Sequence, residues 1–236
     1  MKRRRWPGRV VAVVVVAIGV VAAAVSLLHV TTIEIVGTSA LSPSDILAAS
    51  GLRGGERILW MRTASVAMRV ESFPSIAAAD VERTLPGTIV IRVTERRAAA
   101  TLGRGLAADA GGVVFQYPPT SGVPELVGWR GGARPGALLD GGSRAVLASL
   151  RAFPAELRRR IRRISLVGSV TMVLDDGTEL RFGQPVDLVA KARAAVAVLS
   201  VAAQRHERLA YVDVRAPTAP ASRDRTPPSP SPTPSP

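Results

Sequence analysis

The chain has 236 residues, no cysteine and a formal net charge of +13. That length allows one or two domains beyond terminal tails, and the missing cysteine excludes a disulfide framework, a thiol nucleophile and a cysteine metal site. The charge invites a nucleic-acid reading. However, lysine occurs only at positions 2 and 191 and aromatics make up 4% of the chain, too few for base-stacking platforms. The arginine excess, beside abundant Ala, Val, Gly and Pro, reads as high-GC codon bias, and no nucleic-acid partner is expected.

Lys2, Arg3, Arg4, Arg5 and Arg9 form a basic cluster before Val10 to Leu28, an uncharged run that is apolar apart from Gly19 and Ser26. As a helix this run spans roughly 28 Å, close to the ~30 Å hydrocarbon core. No basic residue follows it before Arg53. The positive-inside rule therefore predicts a cytoplasmic N-terminus and an extracytoplasmic remainder. The competing reading is a cleaved signal peptide, with Ala22-Ala23-Ala24 as the cleavage site. The apolar run continues to Leu28 with no polar region after that site, which favours an uncleaved anchor.

Val30 to Val36 predicts a strand, ended by Gly37. Ser42 fits an N-cap, Pro43 the first helical position and Asp45 the acidic first turn, with Leu41 and Ile46 placed as a hydrophobic staple. Gly51 suits the left-handed position that ends this helix. Gly54-Gly55 is not a phosphate loop, because no Lys-Ser/Thr follows. A second helix is predicted from about Thr63 to Ser72, with Val66, Val70 and Phe73 as its apolar stripe and Pro74 as its stop.

Ile76 to Arg97 predicts two strands about a type II turn at Pro86-Gly87. Ala77, Ala79 and Val81 form one apolar row, and Ile89, Ile91 and Val93 the other. Glu95-Arg96 closes the hairpin and reads as a strand-end ion pair. A lone hairpin is marginal, so its apolar face must be covered. Strand, helix, helix, strand, strand then makes an α+β layer with both helices on one face.

From Ala98 the pattern is β-rich. A turn at Asp109 to Gly112 precedes Val113-Val114-Phe115. Ser143 to Arg151 and Pro154 to Arg160 predict short helices. Strands follow at Ile164 to Val167, Val170 to Leu174 and Glu179 to Phe182, with Asp176-Gly177 as a hairpin signal. Val186 to Gln204 predicts a long helix with Leu188, Ala192, Ala195 and Leu199 on one face, and Tyr211 to Arg215 a terminal strand. Ala216 to Pro236 is rich in Pro, Ser and Thr and reads as a disordered tail.

No constellation for bond-making chemistry emerges. His29 sits at the membrane edge and His206 at a helix end among charges. Asp175-Asp176 precedes Gly177 and reads as turn chemistry, and Arg158 to Arg163 as a solvated helix face. H-E-x-x-H, G-x-S-x-G and S-x-x-K are absent. No enzyme activity, metal or cofactor is expected.

The ordered set Val36-Gly37, Gly51, Gly54, Phe73-Pro74, Arg83, Leu85-Pro86, Thr88, Ile91, Val93 and Glu95-Arg96 resembles a POTRA domain. With one anchor before it and a β-rich domain after it, the chain resembles the FtsQ/DivIB family of bacterial cell-division proteins over roughly Lys2 to Arg215. Val123-Pro124-Glu125-Leu126 is similar to a short family element, and Asp213-Val214-Arg215 to the family's closing strand. Thr38, Ala98 and Ala216 depart from the family pattern.

The resemblance implies a basic cytoplasmic tail (1–9), a transmembrane helix (10–28), a POTRA domain (29–97), a β domain (98–215) and a Pro-rich tail (216–236). It implies a divisome scaffold in the cell membrane at the septum. The partners implied are FtsB- and FtsL-like proteins and the septal peptidoglycan synthesis machinery. The expected docking edge is the terminal strand and its continuation, with Tyr211, Val212, Asp213, Val214, Arg215 and Arg223 as candidates, although Pro217 and Pro220 cannot donate to a ladder. The alternative class is a POTRA-bearing envelope or translocation accessory protein. That class needs several such repeats or a C-terminal barrel.

Overall fold

The computed structural model describes residues 8–26, 28–118 and 122–225, and the chain divides into two compact units, Met1–Arg96 and Arg97–Pro236. The first begins with helix α1 (Gly8–Ser26), whose side chains from Val10 to Ala24 are all exposed. A full crossing takes about 20 apolar residues. No helix long and apolar enough to cross a membrane is found among the described residues.

After α1 come β1 (Thr32–Val36), α2 (Pro43–Ser50), α3 (Thr63–Glu71), β2 (Ile76–Thr84) and β3 (Thr88–Glu95). The sheet order is β1-β3-β2, with β1 parallel and β2 antiparallel to β3. The pairing Ile33↔Ile89 and Ile35↔Ile91 puts four isoleucines on one face. The two helices cover that face, and Ile46, Val66, Val70, Ile76, Val81, Ile89, Ile91 and Val93 form one buried cluster. Full burial of one such side chain is worth roughly 1.5–3 kcal/mol. The helix punctuation behaves as its chemistry requires. Ser42 Oγ accepts from the Ser44 amide, and Gly51 ends α2 with φ 69°. A bulge between Ile76 and Ala78 shifts the apolar row, so Ile76 is buried and Ala77 is exposed.

The turn between β2 and β3 is not the type II turn that Pro86-Gly87 suggests. The Leu85–Pro86 peptide is cis, and Gly87 has no positive φ. Glycine is needed there for closeness instead. An added Cβ would lie 2.6 Å from Thr31 Oγ1 and 2.7 Å from the His29 carbonyl oxygen. The Gly87 carbonyl accepts from the amides of Thr31 (2.8 Å) and Thr32 (3.2 Å).

Glu95 and Arg96 serve separate loops, as neighbouring strand residues with opposed side chains should. The Glu95 carboxylate accepts from the Ser39 amide (2.8 Å) and hydroxyl (2.7 Å), the Ala40 amide and the Leu41 amide (2.9 Å). Partial burial works against its charge, but the Ser39 hydroxyl and these three amides outweigh it and pull its pKa down to about 2. Arg96 Nε donates to the Pro74 carbonyl and Nη2 to that of Ile76, both at 2.9 Å.

The second unit holds β4 (Ala100–Gly103), β5 (Leu106–Ala108), β6 (Val114–Gln116), β7 (Glu125–Val127), α4 (Gly141–Ser149), a 3-10 turn (Leu150–Ala152) and α5 (Ala155–Arg160). Then come β8 (Ile161–Ser165), β9 (Val170–Leu174), β10 (Glu179–Gly183), α6 (Leu188–Gln204), β11 (Leu209–Asp213) and β12 (Ala221–Asp224). Its described strands form one sheet of nine in the order β12-β11-β10-β9-β8-β7-β4-β5-β6. α6 crosses over between the parallel strands β10 and β11. Leu188, Ala192 and Ala195 of α6 are buried in one cluster with Met172, Leu180, Phe182, Val212 and Val214. Lys191, buried on the same helix, donates from Nζ to the carbonyls of Phe182 (2.9 Å) and Gln184 (3.0 Å), which ties the end of β10 to the helix.

The segment from Ala216 onward is not wholly without structure. Pro217 and Pro220 fall in the turn after β11, clear of the ladder, and the chain then re-enters the sheet as β12. Residues 226–236 of the expected tail lie outside the described residues.

Candidate partner-docking edge

The terminal strand pair is built on register. On its inner side β11 pairs with β10 as Glu179↔Tyr211, Leu180↔Val212 and Arg181↔Asp213. On its outer side β12 pairs antiparallel as Tyr211↔Arg223, Val212↔Ser222 and Asp213↔Ala221. A register shift between Leu209 and Tyr211 leaves Ala210 as the extra residue of a bulge, which sharpens local twist. β12 is anchored at its far end. The Arg225 amide donates to the Arg208 carbonyl (2.7 Å), and Arg225 Nη1 donates to the Asp176 carbonyl (3.2 Å).

The six candidate residues divide sharply. Val212 and Val214 are fully buried in the core, so neither offers a side chain to a partner. Alternation forces this, since residues two apart in a strand share a face. Tyr211 is half-buried, and its ring lies 4.0 Å from the Arg181 guanidinium carbon. Asp213 and Arg215 bind each other, with Nη2 to Oδ2 at 2.7 Å. The Arg215 side chain is the main reason that Asp213 titrates below the usual carboxylate range. Arg223 is exposed on β12, directly across from Tyr211. Arg181, which supports the Tyr211 ring, is not singled out by the sequence. Only its register opposite a strand near the C-terminus reveals it.

The two ends of the nine-stranded sheet differ. At β6 the edge is capped at Val114, whose amide donates to the Ala137 carbonyl (2.9 Å) and whose carbonyl accepts from the Gly136 amide (2.8 Å). At β12 no further described strand follows, and all four residues are exposed. An edge strand presents unpaired backbone donors and acceptors to any incoming strand. A cavity of about 580 Å³ lies elsewhere in the second unit, between Trp129, Ser143, Val167 and Gln184. Among the described residues no group of His, Asp and Glu is arranged to hold a metal. Of the topology residues, Lys2, Arg3, Arg4 and Arg5 lie outside the described residues, and Arg9 falls in α1.

Comparison with known families decides the broader identity. Residues 28–96 match the FtsQ-type POTRA domain, and residues 100–215 match the C-terminal domain of cell division protein FtsQ/DivIB. The chain belongs to the FtsQ/DivIB family. It is 32% identical over 210 residues to cell division protein FtsQ of Streptomyces bingchenggensis, covering 83% of this chain and 76% of that protein. It is 32% identical over 170 residues to cell division protein FtsQ of an Anaeromyxobacter species, covering 67% of this chain and 58% of the relative. The corresponding figures for Mycobacteroides abscessus are 30% over 195 residues, 80% and 61%. The chain thus spans about three fifths of the length of these last two relatives. The FtsQ/DivIB match stops at residue 215, so β12 lies beyond it.

Proposed function

We propose that this FtsQ/DivIB-family chain is a single-pass, membrane-anchored scaffold of the division septum. In this reading residues 1–9 are cytoplasmic, 10–28 span the membrane, and 29–97 and 98–215 form two extracytoplasmic domains. The basic cluster before the apolar run supports that orientation. The partners proposed are FtsB- and FtsL-like division proteins, with the septal peptidoglycan synthesis machinery brought close through them. The chain itself contributes binding and positioning.

The mechanism proposed is strand addition. A partner segment lies along the outer edge of β12 and extends the sheet, so main-chain hydrogen bonds supply affinity. Tyr211, Asp213, Arg215 and Arg223 on the adjacent surface supply side-chain selectivity. One observation carries this reading. Of the two ends of the sheet, the β6 end is already hydrogen-bonded at Val114 by residues 136–137, while β12 is the last strand among the described residues and all four of its residues are exposed.

The test is truncation after Arg215, which removes β12. Recovery of FtsB-like partner from crosslinked dividing cells is expected to fall about tenfold, the equivalent of ~1.4 kcal/mol. Unchanged recovery from the truncated chain, with the far-ultraviolet circular dichroism of the intact protein preserved, would refute the β12 edge.

A further inference from the structure

Three separated segments of the first unit meet where the chain leaves α1. The Ile58 amide donates to the Leu28 carbonyl (3.2 Å), the Val30 amide to the Glu56 carbonyl (2.8 Å) and the Gly55 amide to the Val30 carbonyl (2.9 Å). His29 and Arg57 form an antiparallel bridge. The β2–β3 turn joins from the other side through the Gly87 carbonyl, which Thr31 and Thr32 both engage. Arg83 pins the loop to the hairpin, with Nη1 donating to the carbonyls of Ile58 (3.3 Å) and Leu59 (2.9 Å).

This junction carries an unusual set of exposed side chains. Trp60 is 74% exposed and Leu85 is 56% exposed. Arg53, Arg57 and Arg62 are exposed on the same loop, with Glu56 half-buried as the one opposing charge. The Trp60 amide donates to the Arg57 carbonyl, so Trp60 sits one tight turn from the bridge to His29. Two residues span at most about 7 Å, so Leu28 lies within that distance of the Ser26 end of α1. If α1 spans a bilayer, the loop is held at its surface.

We propose that Trp60, Leu85 and the arginines at 53, 57 and 62 form a membrane-contacting rim that binds the anionic headgroups of the outer leaflet. This inference rests on the anchored topology proposed above. Tryptophan is enriched at headgroup depth because its ring is apolar and its N–H is polar. Arginine binds phosphate in a bidentate fork. The three arginines stand outside the 15–20 residues on which orientation depends. They therefore leave the topology signal intact, and the fold returns them to the bilayer afterwards. The rim would hold the first unit at a set height and tilt above the membrane instead of leaving it on a free tether.

The experiment uses the full chain reconstituted into vesicles whose acyl chains are brominated, either phosphatidylglycerol mixed with phosphatidylcholine or phosphatidylcholine alone. The other tryptophans are Trp6 and Trp129. Comparing W6F with W6F/W60F isolates Trp60 by difference and leaves the buried core untouched. Trp60 emission is expected to fall by half or more in the anionic vesicles, and the R53Q/R57Q/R62Q variant is expected to lose most of that quenching. Trp60 left unquenched in a chain that floats with the vesicles and resists carbonate would overturn the rim while leaving the anchor standing. Equal quenching in phosphatidylcholine alone would overturn the anionic headgroup as ligand. A chain that washes off in carbonate would overturn the anchor, and the rim with it.

Discussion

Tyr211 on β11 rests its ring 4.0 Å from the guanidinium carbon of Arg181 on β10, and on its other side faces Arg223 of β12. Tyr211 therefore has an arginine on each neighbouring strand, at the last described strand pair of the sheet. Tyr211→Ala is expected to lower the melting temperature by about 2–4 °C and to reduce partner recovery by about tenfold. Tyr211→Phe keeps the ring and is expected to behave as wild type in both. Thermal unfolding and crosslinked pull-down check the pair.

Glu95 makes the first unit sensitive to acid. Its carboxyl titrates near 2 when folded against 4.5 as its ordinary value. The unfolded chain binds the proton more tightly, so the stabilisation is complete above about pH 4.5 and drains away as pH falls towards 2. Glu95→Gln is expected to lower stability at neutral pH and to flatten its decline across that window. Urea unfolding at several pH values, followed by a probe on the first unit, measures this.

Gly37 meets two constraints at once. Its φ is 94°, and an added Cβ would collide with the Val93 carbonyl oxygen. Gly37→Ala is expected to destabilise the first unit by about 2 kcal/mol or more. The midpoint of denaturant unfolding reports it, and a substitution without cost would show that the β1 end is looser than the structure describes.

Lys191 is the buried polar tie of the second unit. Replacing it with Met leaves the Phe182 and Gln184 carbonyls without their Nζ donor. An expected loss of about 1–3 kcal/mol follows from leaving one buried and one partly buried acceptor without that donor. Denaturant unfolding of the second unit checks it.

The parts of the fold legible in the sequence were those written in apolar periodicity and capping chemistry. The row Ile89, Ile91, Val93, the cap Ser42 and the stop Gly51 each carry their structure in residue type. The stripe Leu188, Ala192, Ala195 does the same for α6. β12 is different. Ala221-Ser222-Arg223-Asp224 has no apolar alternation, because every side chain is exposed and main-chain bonds to β11 hold the strand. Composition therefore made this stretch look like tail. The turn at Gly87 misled for a related reason. Glycine answers to both positive φ and close approach, and only the neighbours Thr31 and His29 reveal that closeness is the cause. Glu95 looked like half of an ion pair because its partners, the amides of residues 39–41, lie more than fifty positions away. The return of the loop at residues 55–58 to Leu28, His29 and Val30 is equally a property of the fold alone.

The most direct test places a photo-activated crosslinker at Arg223 on the β12 edge and, in a second strain, at Gln116 on β6 at the opposite end of the same sheet. Both positions are exposed. Illumination of dividing cells is predicted to join Arg223, and not Gln116, to a small membrane division protein. Adducts from Gln116 with none from Arg223 would contradict docking at the β12 edge.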